Sequence, residues 1–203
     1  MRQWRTRSGR GLHTPEGFIA PCEPILSEVI PIGSAWIHEI KYDGYRLIAR
    51  RDGERVRLWS RSAKDWSGVF TGITLAIWAL PVTSVVIDGE AVVFQEDGHS
   101  NVNALRSPGA QGAAWLVAFD LLMLDGVDLR RAPLSERRRR LAGLLRAAPA
   151  GLRFSEHVDD GEALFRHACG LRLEGIVSKQ RNSPYLSGRH QAWRKVKCAD
   201  GGR

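Results

Sequence analysis

Cysteine is scarce in this chain: Cys22, Cys169 and Cys198 are three cysteines among 203 residues, far apart and without metal-ligand spacing. That pattern suits reduced thiols in a cytosolic protein. No apolar run approaches the roughly 20 residues that a membrane-spanning helix requires. The basic N-terminus lacks the apolar core of a secretion signal. A cytoplasmic location with no membrane partner is the expectation. The six histidines are scattered without ligand spacing, and no Ser-His-Asp arrangement stands out. No glycine-rich phosphate loop of the Walker or Rossmann kind is present. Acid is also in short supply, 22 Asp and Glu against 30 Lys and Arg, a formal charge of +8. A polyanionic partner is implied, nucleic acid first.

What is present suits one moderately large globular domain, since 43% apolar content over this length can bury a real core. Residues 1–17 are arginine-rich and poor in apolar side chains, and read as a flexible basic leader. Residues 18–198 read as the domain and 199–203 as a short tail. Short β-rich runs recur at Leu47–Ala49, Val56–Trp59, Val85–Ile87, Ala91–Phe94, Trp115–Leu124 and Trp193–Lys197. Helical spacing is seen over 69–80, from Ser135 to Leu145 and over 161–171. Residues 95–113 read as a loop or a poorly ordered insertion. The arginine run 137–140 lies on a helix whose apolar face is Leu141, Leu144 and Leu145, so a solvated outer face is expected for it. Many short strands with a few interposed helices predict an α+β fold with mainly antiparallel sheets.

The residues with chemical potential sit at the ends of these runs. Glu39-Ile40-Lys41-Tyr42-Asp43-Gly44-Tyr45-Arg46 reads locally as strand, tight Asp-Gly bend and second strand. Lys41 is thereby held at a strand end beside an acid and an arginine. Glu90, Glu174, Lys179, Lys195 and Lys197 occupy comparable positions. Lys195 and Lys197 fall on one face of their strand, where two ammonium groups repel unless an anion sits between them. A lysine is nucleophilic only when neutral, so burial or neighbouring cations must lower its pKa. A carboxylate such as Glu174 suits Mg²⁺, and lysines around a phosphate offset charge that builds in a transition state. The set is compatible with nucleotidyl transfer.

The sequence Lys41-Tyr42-Asp43-Gly44-Tyr45-Arg46 resembles the Lys-x-Asp-Gly-x-Arg motif of covalent nucleotidyltransferases, namely ATP-dependent DNA ligases, RNA ligases and mRNA capping enzymes. Four further stretches follow in that superfamily's order. They are Ser60-Arg61-Ser62, Asp88-Gly89-Glu90, Glu174-Gly175-Ile176-Val177-Ser178-Lys179 and Trp193-Arg194-Lys195-Val196-Lys197. Between the third and fourth, Leu116 to Leu122 resembles the strand bearing a base-stacking aromatic. The resemblance covers about residues 20 to 198 and looks closest to the adenylation domain of bacterial end-joining DNA ligases.

The resemblance implies the adenylation-domain (ATP-grasp-like) nucleotidyltransferase fold, with ATP and Mg²⁺ or Mn²⁺ as cofactors and broken or nicked DNA as partner. Lys41 would attack the α-phosphate of ATP to give lysyl-AMP. Glu90 and Arg46 would hold the ribose, with Arg61 on the ribose or phosphate side. Phe119 would stack on adenine opposite Ile176 or Val177, and Glu39 would lie at the adenine edge. Glu174 would help bind the metal. Lys195 and Lys197 would contact the α-phosphate, and Lys179 a phosphate or DNA. Asp88 and Asp43 would mainly fix turns. Family members continue into an oligonucleotide-binding-fold domain carrying a sixth motif, for which nothing remains after residue 198, so the alternative of a separately encoded partner stays open. An RNA-end ligase and a non-catalytic nucleic-acid-binding remnant stay open beside the DNA ligase.

Overall fold

The computed structural model describes residues 17–95 and 100–199. The basic leader, except Gly17, and the tail beyond Ala199 lie outside the described residues.

Alternating β-branched and aromatic residues build ten strands in two sheets. In the first, β1 (Cys22–Leu26), β2 (Trp36–Ile40), β9 (Gly175–Gln180) and β10 (Gly188–Lys197) lie in the order β1-β10-β9-β2. The second holds β3 (Tyr45–Asp52), β4 (Arg55–Ser60), β5 (Ser84–Val92), β6 (Trp115–Leu124) and β7 (Val127–Asp128) in the order β4-β3-β5-β6-β7, with β8 (Leu152–Phe154) also beside β6. Pairing is antiparallel except for β1 with β10 and β6 with β8. The α+β architecture with mainly antiparallel sheets is the one expected.

Strand periodicity sorts the side chains. On the first sheet, Ile40, Ile176 and Val196 turn outward to Leu164, Phe165 and Ala168 of helix α4 (Gly161–Gly170). Ile37 and Trp193 turn inward to Ile48, Trp59, Val86 and Leu122 of the second sheet. The second sheet's far face, with Leu47, Leu58, Ile87 and Leu121, is covered by α1 (Thr71–Trp78) and α3 (Leu134–Leu145). The cleft opens where the two inner faces diverge.

Five local expectations are corrected. First, β2 and β3 form no hairpin: β2 pairs with β9 and β3 with β4 and β5. Residues 41–44 instead carry the chain between the sheets. Gly44 is needed there for close approach, because a Cβ would sit 2.2 Å from the Ala91 carbonyl oxygen. Second, Asp88 makes no turn, since β5 runs unbroken from Ser84 to Val92 through Asp88-Gly89-Glu90. Third, the stretch 95–113, where described, contains a 3-10 turn (Val102–Arg106) and α2 (Pro108–Gly112), with Asn101 accepting from the Ala104 N–H at the start of the turn.

Fourth, the arginine run divides. Arg139 and Arg140 are exposed and paired with Glu136, but Arg137 and Arg138 are buried. Arg137 grips Asp120 through Nε at 2.7 Å and Nη2 at 2.8 Å. The helix turns these two arginines inward, where the buried carboxylates of Asp120 and Glu39 meet them.

Fifth, only Cys22 is a thiol; Cys169 and Cys198 form a disulfide. The packing of α4 on the outer sheet face brings their Cα atoms to 5.4 Å despite a sequence separation of 29. Replacing both by serine is expected to cost about 3–4 kcal/mol, the chain-entropy value for a loop of roughly this length. Urea unfolding of the oxidised wild type and the double variant measures it, and a cystine-linked peptide in a non-reducing digest verifies the bond.

Candidate active site

Between the inner faces lies a cleft of about 570 Å³, a size suited to a nucleotide-sized ligand. Six cationic side chains (Lys41, Arg46, Arg61, Lys179, Arg189, Lys195) line it against three acidic ones (Glu23, Glu39, Glu90). Phe119, Trp193 and Val177 supply apolar walls.

Lys41 follows β2 directly, and its backbone N–H donates to the Gly175 carbonyl at 2.9 Å. The tight join depends on Gly175, whose φ is +143° and where a Cβ would meet the Val196 carbonyl oxygen at 2.1 Å. Lys41 Nζ donates to Glu174 Oε2, while Lys197 Nζ pairs with Glu174 Oε1 at 2.8 Å. Glu174 is thus an anion shared by Lys41 and Lys197. Burial works to raise its pKa, but the hydrogen bonds from Lys197 and Lys41 overcome this and hold the carboxyl below its usual range. Lys195 lies below the ordinary lysine value because of burial and the ammonium groups of Lys41 and Lys197. Lys197 is held above it by its bond to Glu174.

The second sheet contributes the opposite wall. Arg46 on β3 donates to Asp88 through Nε at 2.5 Å and Nη2 at 2.7 Å, and Tyr185 Oη donates to the same carboxylate at 2.6 Å. The guanidinium lies 4.5 Å from the Phe119 centroid. Phe119 is the residue skipped where Asp88 pairs with Asp120 and Gly89 with Ala118. That bulge turns its ring into the cleft, as bulges beside sites commonly do. Glu90 is half-buried on the same face of β5 as Asp88. Arg61 stands exposed at the rim, on the turn after β4.

Glu39 and Lys179 lie deeper. Lys179 Nζ pairs with Glu39 Oε1 at 2.9 Å and sits 4.3 Å and 4.1 Å from the ring centroids of Phe119 and Trp193. Burial lowers the Lys179 pKa, partly offset by Glu39. So enclosed a lysine cannot reach DNA, which removes that half of its expectation. Ile176 does not reach the cleft either: strand alternation buries it against α4 and presents Val177. Lys197 and Glu174 adjoin the cleft through Lys41 without lining it. Sequence reasoning gave no role to Trp193, Arg189 or Arg138. Trp193 was legible, two residues before Lys195 and therefore on the same strand face.

Burial pushes the Glu90 carboxyl up to about 7, against the pull of Arg46 and Lys41. Below the ordinary value of 4.5 both folded and unfolded chains hold the proton, and Glu90 costs nothing. Between there and about 7 the folded chain keeps a proton that the unfolded chain releases, so stability falls as pH rises. Glu90→Gln should therefore stabilise the protein by on the order of 1–3 kcal/mol at pH 8 and by little at pH 4.5. Urea unfolding at the two pH values measures the difference.

Among the described residues no group of three or more His, Cys, Asp or Glu side chains could hold a metal. A cation of the Mg²⁺ type is commonly held by one or two carboxylates together with substrate phosphates; Glu174 is a single carboxylate beside Lys41, with its oxygens engaged by Lys41 and Lys197.

Two mostly antiparallel sheets meeting over a basic, aromatic-walled cleft, with a lysine where the chain crosses between them, define the class: an α+β domain built around a nucleotide-sized cleft, the architecture that the motif resemblance implies. The chain belongs to the ATP dependent DNA ligase domain family, whose model matches residues 20–197. It is 38% identical over 199 residues to the multifunctional non-homologous end joining protein LigD of Pseudomonas aeruginosa, covering 96% of this chain and 24% of that protein. A probable DNA ligase of Rhodococcus jostii is 34% identical over 189 residues, covering 88% and 37%. Among solved structures, a mycobacterial DNA ligase D complexed with ATP and MES superposes with a TM-score of 0.77 at 32% identity, covering 88% of this chain and 60% of that one. The chain thus spans well under half the length of both sequence relatives.

Proposed function

We propose that residues 18–198 form the adenylation domain of an ATP-dependent DNA ligase, with Lys41 as the nucleophile. The observation that carries this reading is Lys41 itself, fixed by its backbone at a cleft lined by Lys195, Arg46 and Phe119. The Lys41 nitrogen attacks the α-phosphorus of ATP; the N–P bond forms as the bond to pyrophosphate breaks and the nitrogen gives up its surplus protons to solvent, giving lysyl-AMP. Lys195 and Lys197 stand where an α-phosphate beside Lys41 would gain negative charge, and their ammonium groups offset it. Phe119 stacks on the base with Val177 opposite. Glu90 and the Arg46 nitrogen not engaged by Asp88 hold the ribose, and Arg61 lies toward the phosphates. Glu174 would hold Mg²⁺ or Mn²⁺, which neutralises phosphate charge when bound.

The adenylate would pass to a 5′-phosphate at a break in DNA, for sealing in end-joining repair. Its acceptor is supported by the family and by the net charge of +8. A separate oligonucleotide-binding or end-joining partner belongs to the same proposal, as does a cytoplasmic location beside the DNA. Incubation with ATP and Mg²⁺ or Mn²⁺ should give a covalent AMP adduct on the intact protein, detected by mass spectrometry and lost in acid as a phosphoramidate is. No adduct with either metal would refute the reading. Sealing of nicked DNA compared with nicked RNA by the adenylated protein separates the two acceptors.

A further inference from the structure

In the cleft wall Glu39 is engaged by three side chains from separate parts of the chain. Arg138 Nη1 of α3 donates to Oε1 at 2.8 Å, and Lys179 Nζ of β9 pairs with the same oxygen at 2.9 Å. Ser155 Oγ, just after β8, donates to Oε2 at 2.9 Å. A carboxylate offers about four acceptor positions, and three are filled by protein donors. Held between two cations, the carboxylate accepts hydrogen bonds and gives none. Arg138 is itself held by the Ser155 carbonyl, which accepts from Nη2 at 2.5 Å. Its Nη1 also donates to the Phe119 carbonyl at 3.1 Å. One guanidinium thus fixes both an acceptor at the cleft edge and the backbone of the aromatic wall.

We propose that Arg138 and Ser155 are positioning residues that set the last acceptor position of Glu39 against the base edge, so that the cleft selects purines carrying an exocyclic 6-amino donor. The inference rests on the nucleotide-site reading above. A 6-amino group brings an N–H to the vacant position of Glu39, whereas a 6-oxo group would set an oxygen acceptor against a fixed carboxylate. Glu39 is on the cleft wall, and Arg138 and Ser155 are behind it, so their effect on the nucleotide is through Glu39 and Phe119.

The test compares ATP with purine riboside triphosphate, which lacks the 6-amino group, in wild type, Arg138→Lys and Ser155→Ala. Formation of the AMP adduct is followed in single turnovers over a range of nucleotide concentrations. The wild type should favour ATP by about tenfold or more in half-saturating concentration, as a hydrogen bond to a charged group allows. In Arg138→Lys the ATP value should rise about tenfold, and in Ser155→Ala a few-fold, with little change in the rate at saturation. The value for the analogue should stay put in Ser155→Ala, because it never uses Glu39, and should rise less than the ATP value in Arg138→Lys, where only the hold on Phe119 reaches it. An equal rise for both nucleotides, or an unchanged preference for ATP, would overturn the positioning role. A wild type that forms no adduct with ATP would overturn the nucleotide-site reading itself. Ser155→Ala removes one hydroxyl, so the comparison stands even if Arg138→Lys does not fold.

Discussion

Lys41→Ala should abolish the AMP adduct, and Lys41→Arg should do so just as completely. Alanine has no nucleophile to offer. Arginine keeps a cation for Glu174, but its guanidinium stays protonated at any working pH and cannot attack phosphorus. Loss of a covalent nucleophile is expected to lower adduct formation by at least about 10⁴-fold. The arginine variant isolates nucleophilicity from charge, because the ion pair with Glu174 can be kept. Its thermal midpoint should stay near that of the wild type. Intact-protein mass spectrometry after incubation with ATP reads the first quantity and calorimetry the second. An adduct that persists in Lys41→Arg would move the nucleophile to Lys195 or Lys197.

The other large effect concerns folding. Asp120→Ala should destabilise the protein by about 3–5 kcal/mol, because it strands the Arg137 guanidinium in the core. Both side chains of this pair are fully buried. Arg137 also donates through Nη1 to the carbonyls of Ala132 and Ser183, so the pair ties α3 to β6 and to the loop after β9. Replacing both partners, Asp120→Leu with Arg137→Met, should cost much less, since no uncompensated charge is left behind. Urea unfolding of the two variants beside the wild type decides the matter: equal losses in the single and double variants would show that packing, not the buried charge, sets the penalty.

Local signals in the sequence reported local structure well. β-Branched runs became strands, the spacing over 69–80 became α1, and five motifs in order pointed to residues that the fold gathers around one cleft. Signals failed where a partner distant in sequence decides the outcome. Lys41-Tyr42-Asp43-Gly44 has hairpin chemistry, yet its flanking strands pair with β9 and β5, more than 130 and about 45 residues away. Four consecutive arginines look solvated until Asp120 and Glu39 are placed beneath two of them. The Cys169–Cys198 bond depends on α4 docking against the sheet, which no spacing rule conveys. Ile176 and Val177 differ by one residue, and only the register of β9 says which one meets the cleft.

The chain passes between the sheets twice, outward at 41–44 and back between Phe154 of β8 and Val158, which bridges His38 of β2. The outward passage begins at Lys41, whose N–H meets the Gly175 carbonyl and whose ammonium meets Glu174, the residue before β9. The phosphate-side lysines ride with the first sheet, and Arg46, Glu90 and Phe119 ride with the second. The phosphate-side and ribose-side walls therefore belong to different sheets, and the proposed nucleophile sits where they join. A nucleotide held by both would be a strut across them, tying one sheet to the other at its base, ribose and phosphate.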